Sequence, residues 1–377
     1  MTPYTSGVGL YVHIPFCQRK CPYCAFYSVP ISGRSPKRLV TALHREMDLY
    51  AITEPVRTIY IGGGSPTSLP PELLIGLTAG LKDRFGDVEE FTVECNPAQA
   101  SRWLFRQLRS VGVNRLSIGA QSFDAEELKM LGRFHGPLQI IEAVDEARYA
   151  GFENIALDLI FGLPGSSLMA WQHTLDQAKA MQVEHLSAYS LTLERDTPFE
   201  RAAQQGSLTM IDEATERTMY ELARLQLSSA GLNHYEISNF ARPGLECRHN
   251  VRYWKNLPVV GIGPAAASWY RGRRTMNVRD VDIYTDAVEN GRFAHVETQE
   301  PTAEQVASET AVLNLRMLEG IDVAAYRQQT GMDAEVLFDE AIEKNCAIGF
   351  LERSATHIRL SDVGLSFADT VAQDFVL

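Results

Sequence analysis

Residues 10–24 read LYVHIPFCQRKCPYC, an apolar run that breaks at Pro15 and delivers the chain into three cysteines, Cys17, Cys21 and Cys24, spaced CxxxCxxC. The run 10–16 is short, rich in residues that favour strands and bounded by a turn, which predicts a buried β-strand with the cysteines on the loop at its C-terminal end. The same pattern recurs downstream. Strands are expected at 58–62, 91–94, 115–118, 154–160 and 185–191, and helices at 36–49, 71–85, 101–110, 138–149 and 167–180. Alternating β and α units imply parallel strands joined by right-handed crossovers.

The unusual residues all follow strands: CQRKCPYC, GGGSPT, ECNP, GAQS, DLIFGLP and LTLERDTPF. Parallel α/β barrels build their active sites at these C-terminal strand ends. Six such units precede a change of pattern near residue 200, so the expected fold is α/β, an open, partial six-stranded (β/α)6 barrel.

Residues 301–377 read differently. Val306, Thr310, Leu313 and Met317 follow a Thr302/Gln305 capping-box pattern and precede Gly320. Further helices are expected at 322–331, 334–343 and from 366, with a hairpin of 350–353 and 357–360. This is a C-terminal helical, winged-helix-like domain. It carries 13 acids and 5 bases, a balance that favours packing or protein interaction over DNA binding. The expected division is a barrel at 1–240, a connecting segment at 241–300 and the C-terminal domain at 301–377.

Composition agrees with a globular chain: 377 residues, 45% hydrophobic and 22% charged. A formal charge of −12 argues against broad nucleic-acid binding, so no nucleic-acid partner is expected. The N-terminus MTPYTSGVGLYVH has no basic and apolar leader pattern, and no stretch is apolar enough to span a membrane. A soluble, cytoplasmic protein is expected, with membrane association only through a partner. Three of the six cysteines lie within eight residues, which points to a metal or redox site rather than disulfides.

Three close thiolates can bind three irons of a [4Fe-4S] cube and leave the fourth iron open. The alternative is zinc, which would need a fourth ligand such as His13. Gly62, Gly63 and Gly64 would let backbone amides approach a ligand closely, or form an ordinary tight turn. Glu94, Gln121 and Asp158 are polar residues at strand ends, suited to ribose hydroxyls and an amino group, or to structural hydrogen bonds.

In this context the CxxxCxxC loop resembles that of the radical SAM superfamily, in which the open iron holds S-adenosylmethionine (SAM). YVHIPFCQRKCPYC, IYIGGGSPTSL, VECNP, RLSIGAQSF, LGRFH and LDLIFGLPGSS narrow the resemblance to the oxygen-independent coproporphyrinogen III oxidases and their relatives. That resemblance implies SAM contacts at Tyr11, Tyr23, Gly63, Gly64, Ser65, Glu94, Gln121, Arg133, Asp158, Thr192 and Ala267, with Tyr23 near the adenine. Phe26 stands where the oxidases have a further cysteine, and Cys17 comes without their long N-terminal arm. CRHNVRYWKN at 247–256 contains His249, Asn250, Tyr253 and Trp254, an HNxxYW pattern similar to that of the HemW haem chaperones.

The implied function is haem binding and delivery to an acceptor haemoprotein, with an electron donor such as a flavodoxin or an NADH-linked reductase. No catalytic residue is assigned. His249 is the candidate haem ligand and Cys247 either the second or a covalent attachment point, unless the segment only seals the barrel's open side. The enzymatic alternatives are coproporphyrinogen oxidation and a related radical SAM methyl transfer. Cys95 and Cys346 read as small buried hydrophobes.

Overall fold

The computed structural model describes residues 7–377; the first six, MTPYTS, belong to the leader reading above and lie outside the described residues. Among the described residues twelve strands form the main sheet. Numbered in chain order, they are β1 (Val8–Ile14), β2 (Val56–Gly63), β3 (Glu90–Cys95), β4 (Arg115–Gln121), β5 (Ile155–Phe161), β6 (His185–Ser190), β7 (Asn233–Glu236), β8 (Asn239–Ala241), β9 (Val259–Ile262), β10 (Ala267–Tyr270), β11 (Arg273–Asn277) and β12 (His295–Gln299). The spatial order is β12, β11, β10, β9, β1, β2, β3, β4, β5, β6, β8, β7.

Strands β1 to β6 are the six expected parallel strands, and β9 adds a seventh by pairing parallel to β1 through Leu10↔Val260 and Tyr11↔Gly261. Residues 241–300 are therefore not a connecting segment. They contribute β9 to β12, extending one edge of the barrel sheet, with β10, β11 and β12 antiparallel. The strands are only four or five residues long, and β9 pairs with β1 some 250 residues earlier in the chain, so no local repeat marked it as a barrel strand.

Strand alternation divides the sheet into two faces. Leu10, Val12, Ile14, Ile59, Ile61, Val93, Leu116, Ile118, Leu157 and Leu186 are fully buried in the core between sheet and helices, each worth about 1.5–3 kcal/mol relative to exposure. The alternate residues, Tyr11, Tyr60, Glu94, Ser117, Asp158 and Ser187, face the barrel interior and are largely polar. The helices start where their caps require: Ser101 and Ser167 accept from Leu104 and Ala170 amides, opening helices Arg102–Ser110 and Leu168–Ala180.

The C-terminal region follows helix, strand, helices and hairpin, with residues 321–322, 351–353 and 357–360 forming a three-stranded sheet. The Thr302/Gln305 capping box is present at helix Ala303–Asn314. That helix buries Ala307, Ser308, Thr310 and Ala311, and it stops before Met317, so the expected apolar stripe is displaced. The helix expected at 334–343 breaks at Phe338 into Ala334–Leu337 and Asp339–Ala347, because the Phe338 ring turns inward onto Phe375. The region docks on the barrel's far edge: Ile237 N and Leu318 N donate to Arg316 O and Tyr235 O across β7.

Candidate functional site: the barrel mouth and its floor

The cysteine loop is clasped at its base. Residues 16–17 pair parallel with 29–30, and Ile31 N donates to Cys17 O at 3.0 Å, so the intervening loop leaves and returns at one place. Within it Cys24 N donates to Cys21 O at 3.2 Å. Arg133 reaches over from behind β4, donating to Cys21 Sγ at 3.7 Å and to Gly119 O at 2.8 Å. Burial, with the neighbouring thiols adding to it, pushes the Cys17 thiol up to about 11 and raises Cys24.

Among the described residues no three His, Cys, Asp or Glu side chains converge on a single metal ion. A [4Fe-4S] cube asks for something else, one thiolate on each of three irons, and three cysteines on one clasped loop, with the Arg133 guanidinium donating to Cys21 Sγ, suit it. His13, the candidate fourth zinc ligand, has no free nitrogen: Nδ1 meets the Tyr11 hydroxyl at 3.0 Å and Nε2 the Tyr27 carbonyl at 3.0 Å.

Beside the loop, the inner faces of neighbouring strands bring Tyr11, Glu94 and Asp158 into one polar space. Glu94 accepts from the Tyr60 hydroxyl at 2.8 Å and from Gly63 N at 3.1 Å. Burial, then the Asp158 charge, pushes its carboxyl up to about 7. Asp158 accepts from Ser187 at 2.7 Å and Ser117 at 3.2 Å, and burial raises its pKa also. Two carboxyls whose ionised forms burial disfavours, in one enclosure, would each gain from a cationic ligand placed between them.

The glycine triplet works differently from expectation. The Gly64 and Ser65 amides donate to Ile14 O and Phe16 O, both at 2.8 Å, and the Gly63 amide is taken by Glu94. These amides are therefore not open to a ligand. The glycines are needed for packing: a Cβ would lie 2.8 Å from Glu94 Oε1 at Gly62, 2.6 Å from the His13 ring at Gly63 and 2.7 Å from Phe16 O at Gly64. Ser65 Oγ is bonded to Gln99 at 3.0 Å.

The remaining expected contacts ring the same mouth. Gln121 ends β4 in a left-handed conformation, φ +72°. Tyr23 packs against a small apolar cluster of Leu131, Ile160, Leu163, Leu191 and Phe199. Thr192 is exposed just past β6, and Ala267 is exposed at the start of β10. Sequence reasoning missed Tyr60, Ser117, Ser187 and Gln99, which hold the acids and Ser65. Inward register on the strands was the available signal for the first three; Gln99 lies in the short turn Pro97–Gln99 after β3 and carried none.

The HNxxYW segment lies elsewhere than expected. Residues 248–254 form a helix, Arg248–Trp254, that plugs the opposite, N-terminal end of the strands. Glu90, the first residue of β3, accepts the Arg248 and His249 amides at 2.8 and 3.1 Å. His249 is 1% exposed. Its Nδ1 meets Thr58 Oγ1 at 2.9 Å and its Nε2 the Tyr253 hydroxyl at 3.2 Å. Burial pushes this imidazole down to about 3, so it is neutral, with one donor and one acceptor, both engaged. It has no nitrogen to offer haem iron in this fold. Cys247 is fully buried against Glu90, its thiol pushed up to about 12 by burial, and is equally unavailable. The segment seals the floor of the barrel, not its open side.

The sequence matches the Radical SAM superfamily over residues 11–178 and the HemN C-terminal domain over residues 302–367. It is 35% identical to the haem chaperone HemW of Bacillus subtilis (strain 168), covering 97% of this chain and 98% of the relative. With the haem chaperone HemW of Escherichia coli (strain K12) it shares 33% identity, covering 98% of each. The fold matches the solved coproporphyrinogen III oxidase (HemN) of Escherichia coli with a TM-score of 0.84 at 21% identity, over 98% of this chain and 90% of that one.

Proposed function

The chain belongs to the HemW family of radical SAM haem chaperones, and from that premise we propose that it binds haem and hands it to an acceptor haemoprotein, carrying a [4Fe-4S] cluster and SAM at the barrel mouth. The observation that carries this reading is kinship with the chaperones over nearly the whole chain, barrel and C-terminal domain together.

Cys17, Cys21 and Cys24 hold the cluster, with Arg133 offsetting the thiolate charge. Glu94 and Asp158 receive the cationic portion of SAM, Tyr11 and Gln121 flank them, and Tyr23 with its apolar neighbours takes the adenine. Gly63, Gly64 and Ser65 shape the wall, and Thr192 and Ala267 close the rim. Held there and reduced by a donor such as a flavodoxin or an NADH-linked reductase, a cluster would supply an electron to the sulfonium of bound SAM. The haem ligand is a residue outside the floor, since His249 and Cys247 are both engaged there. The protein works in the cytoplasm and reaches a membrane only through an acceptor. No helix among the described residues is long and apolar enough to cross one.

Anaerobic haem titration of reconstituted protein, followed by mixing with apo-haemoprotein, tests the reading. A Soret band that forms on this chain and then moves to the acceptor is the expected result. Absence of haem binding would reject it. Multiple-turnover formation of protoporphyrinogen from coproporphyrinogen III would instead make the chain an oxidase, against the reading of Phe26. Transfer of the SAM methyl carbon would make it a methyltransferase.

A further inference from the structure

Floor and mouth of this barrel are one connected structure. Thr58, Tyr60 and Gly62 occupy alternate, inward positions of β2. His249 is bonded to the first of them at 2.9 Å, its ring lies 5.3 Å from the second, and at the third a Cβ would lie 2.8 Å from both the Tyr60 ring and Glu94. Tyr60 in turn donates to Glu94 at 2.8 Å. The His249 ring also lies 6.4 Å from Tyr11, whose hydroxyl meets His13. On its other side the floor helix is clamped by the C-terminal domain. Asn314 donates to the Trp254 carbonyl at 2.9 Å, and the Arg316 guanidinium lies 4.8 Å from the Trp254 ring centre.

We infer that the HNxxYW helix is the positioning floor of the SAM site: His249, fixed by Thr58 and Tyr253, sets the Tyr60 and Tyr11 rings and, through Tyr60, the Glu94 carboxyl. His249 is a positioning residue that touches neither cofactor nor haem. The physical basis is packing. A tyrosine keeps one orientation only while its ring is supported on every side, and its hydroxyl can present a fixed hydrogen bond only from that orientation. Removing the imidazole opens space beneath two tyrosines at once and leaves the Thr58 and Tyr253 hydroxyls without their shared partner. This role presupposes that Glu94 receives SAM, as proposed above.

The test uses full-length protein with its cluster reconstituted anaerobically. SAM affinity is read from the EPR change of the reduced cluster, haem affinity from the Soret band, and iron content and thermal midpoint are recorded alongside. His249→Ala should weaken SAM binding about tenfold while iron content, haem affinity and the Soret position stay at wild-type values. Tyr60→Phe, which removes only the hydroxyl on Glu94, should weaken SAM binding similarly. The double variant should lose little more than the larger single loss, because both act through one carboxyl. A general loss of stability would not produce that non-additivity. Should His249→Ala fail to fold, Tyr253→Phe removes only the hydroxyl at Nε2 and should weaken SAM binding severalfold.

Additive losses, or SAM binding at wild-type strength in these variants, would overturn the positioning role. A shifted Soret band and weakened haem binding with SAM binding intact would restore His249 as a haem ligand. If wild-type protein itself shows no SAM-dependent EPR change, the cofactor reading of the mouth fails first.

Discussion

Gly63→Ala tests the close packing of the mouth most sharply. Gly63 has φ +110°, and an added Cβ would lie 2.6 Å from the His13 ring. A non-glycine residue held there costs about 1–3 kcal/mol in backbone strain. The His13 ring cannot move away freely, because it is bonded to the Tyr11 hydroxyl and the Tyr27 carbonyl. Displacing it sacrifices both bonds, at about 1 kcal/mol each. The expected loss is roughly 3–5 kcal/mol, which for a cooperative unit of this size lowers the thermal midpoint by roughly 4–6 °C.

The assay is thermal unfolding followed by circular dichroism, beside a control, Gly76→Ala, in helix Pro71–Phe85. A Cβ there meets nothing within 4 Å, so the substitution should stabilise by about 0.5–1 kcal/mol. Gly63→Ala should also weaken SAM binding, since Gly63 N is a donor to Glu94. A Gly63→Ala protein as stable as wild type would refute the packing account and return the triplet to an ordinary turn.

Three other outcomes are expected. Replacing any of Cys17, Cys21 or Cys24 by Ala should abolish the four irons of the reconstituted cluster, whereas Cys95→Ala and Cys346→Ala should retain them by iron analysis. Glu46, buried under the Gly263 amide, Asn277 and Tyr284, is pushed up by burial from 4.5 to about 7. A raised carboxyl contributes stability that is complete below its ordinary value and lost as pH rises through about 7, so the thermal midpoint of wild type relative to that of Glu46→Gln should fall between pH 5 and pH 8, a comparison in which the opposite slope from the buried neutral histidines cancels. That gap is worth roughly 3 kcal/mol, read as the difference between the two proteins across the window. Trp254→Ala should loosen the C-terminal domain by deleting the ring beside Arg316, worth about 1 kcal/mol or more, and limited proteolysis should then release that domain faster.

What could be read from the chain alone were features whose meaning is local. The CxxxCxxC loop, the strand and helix alternation through residue 190, the Ser101, Ser167 and Thr302 caps and the glycine triplet each carry their signal within a few residues. Backbone geometry and side-chain period act on that scale. Glu94 and Asp158 were also legible, because strand ends in a parallel sheet share one side.

Tertiary structure decided what depends on partners distant in sequence. β9 is a barrel strand only because it lies beside β1, some 250 residues earlier, and a four-residue run cannot announce its neighbour. The glycine amides look open until Ile14, Phe16 and Glu94 close on them. His249 and Cys247 read as ligands because their types are ligand types. Whether an imidazole is free or satisfied depends on which end of the barrel its helix enters, and that is fixed by Thr58, Glu90 and the C-terminal domain together. A buried polar group takes its chemistry from whatever completes its hydrogen bonds, and for this histidine both partners come with the fold.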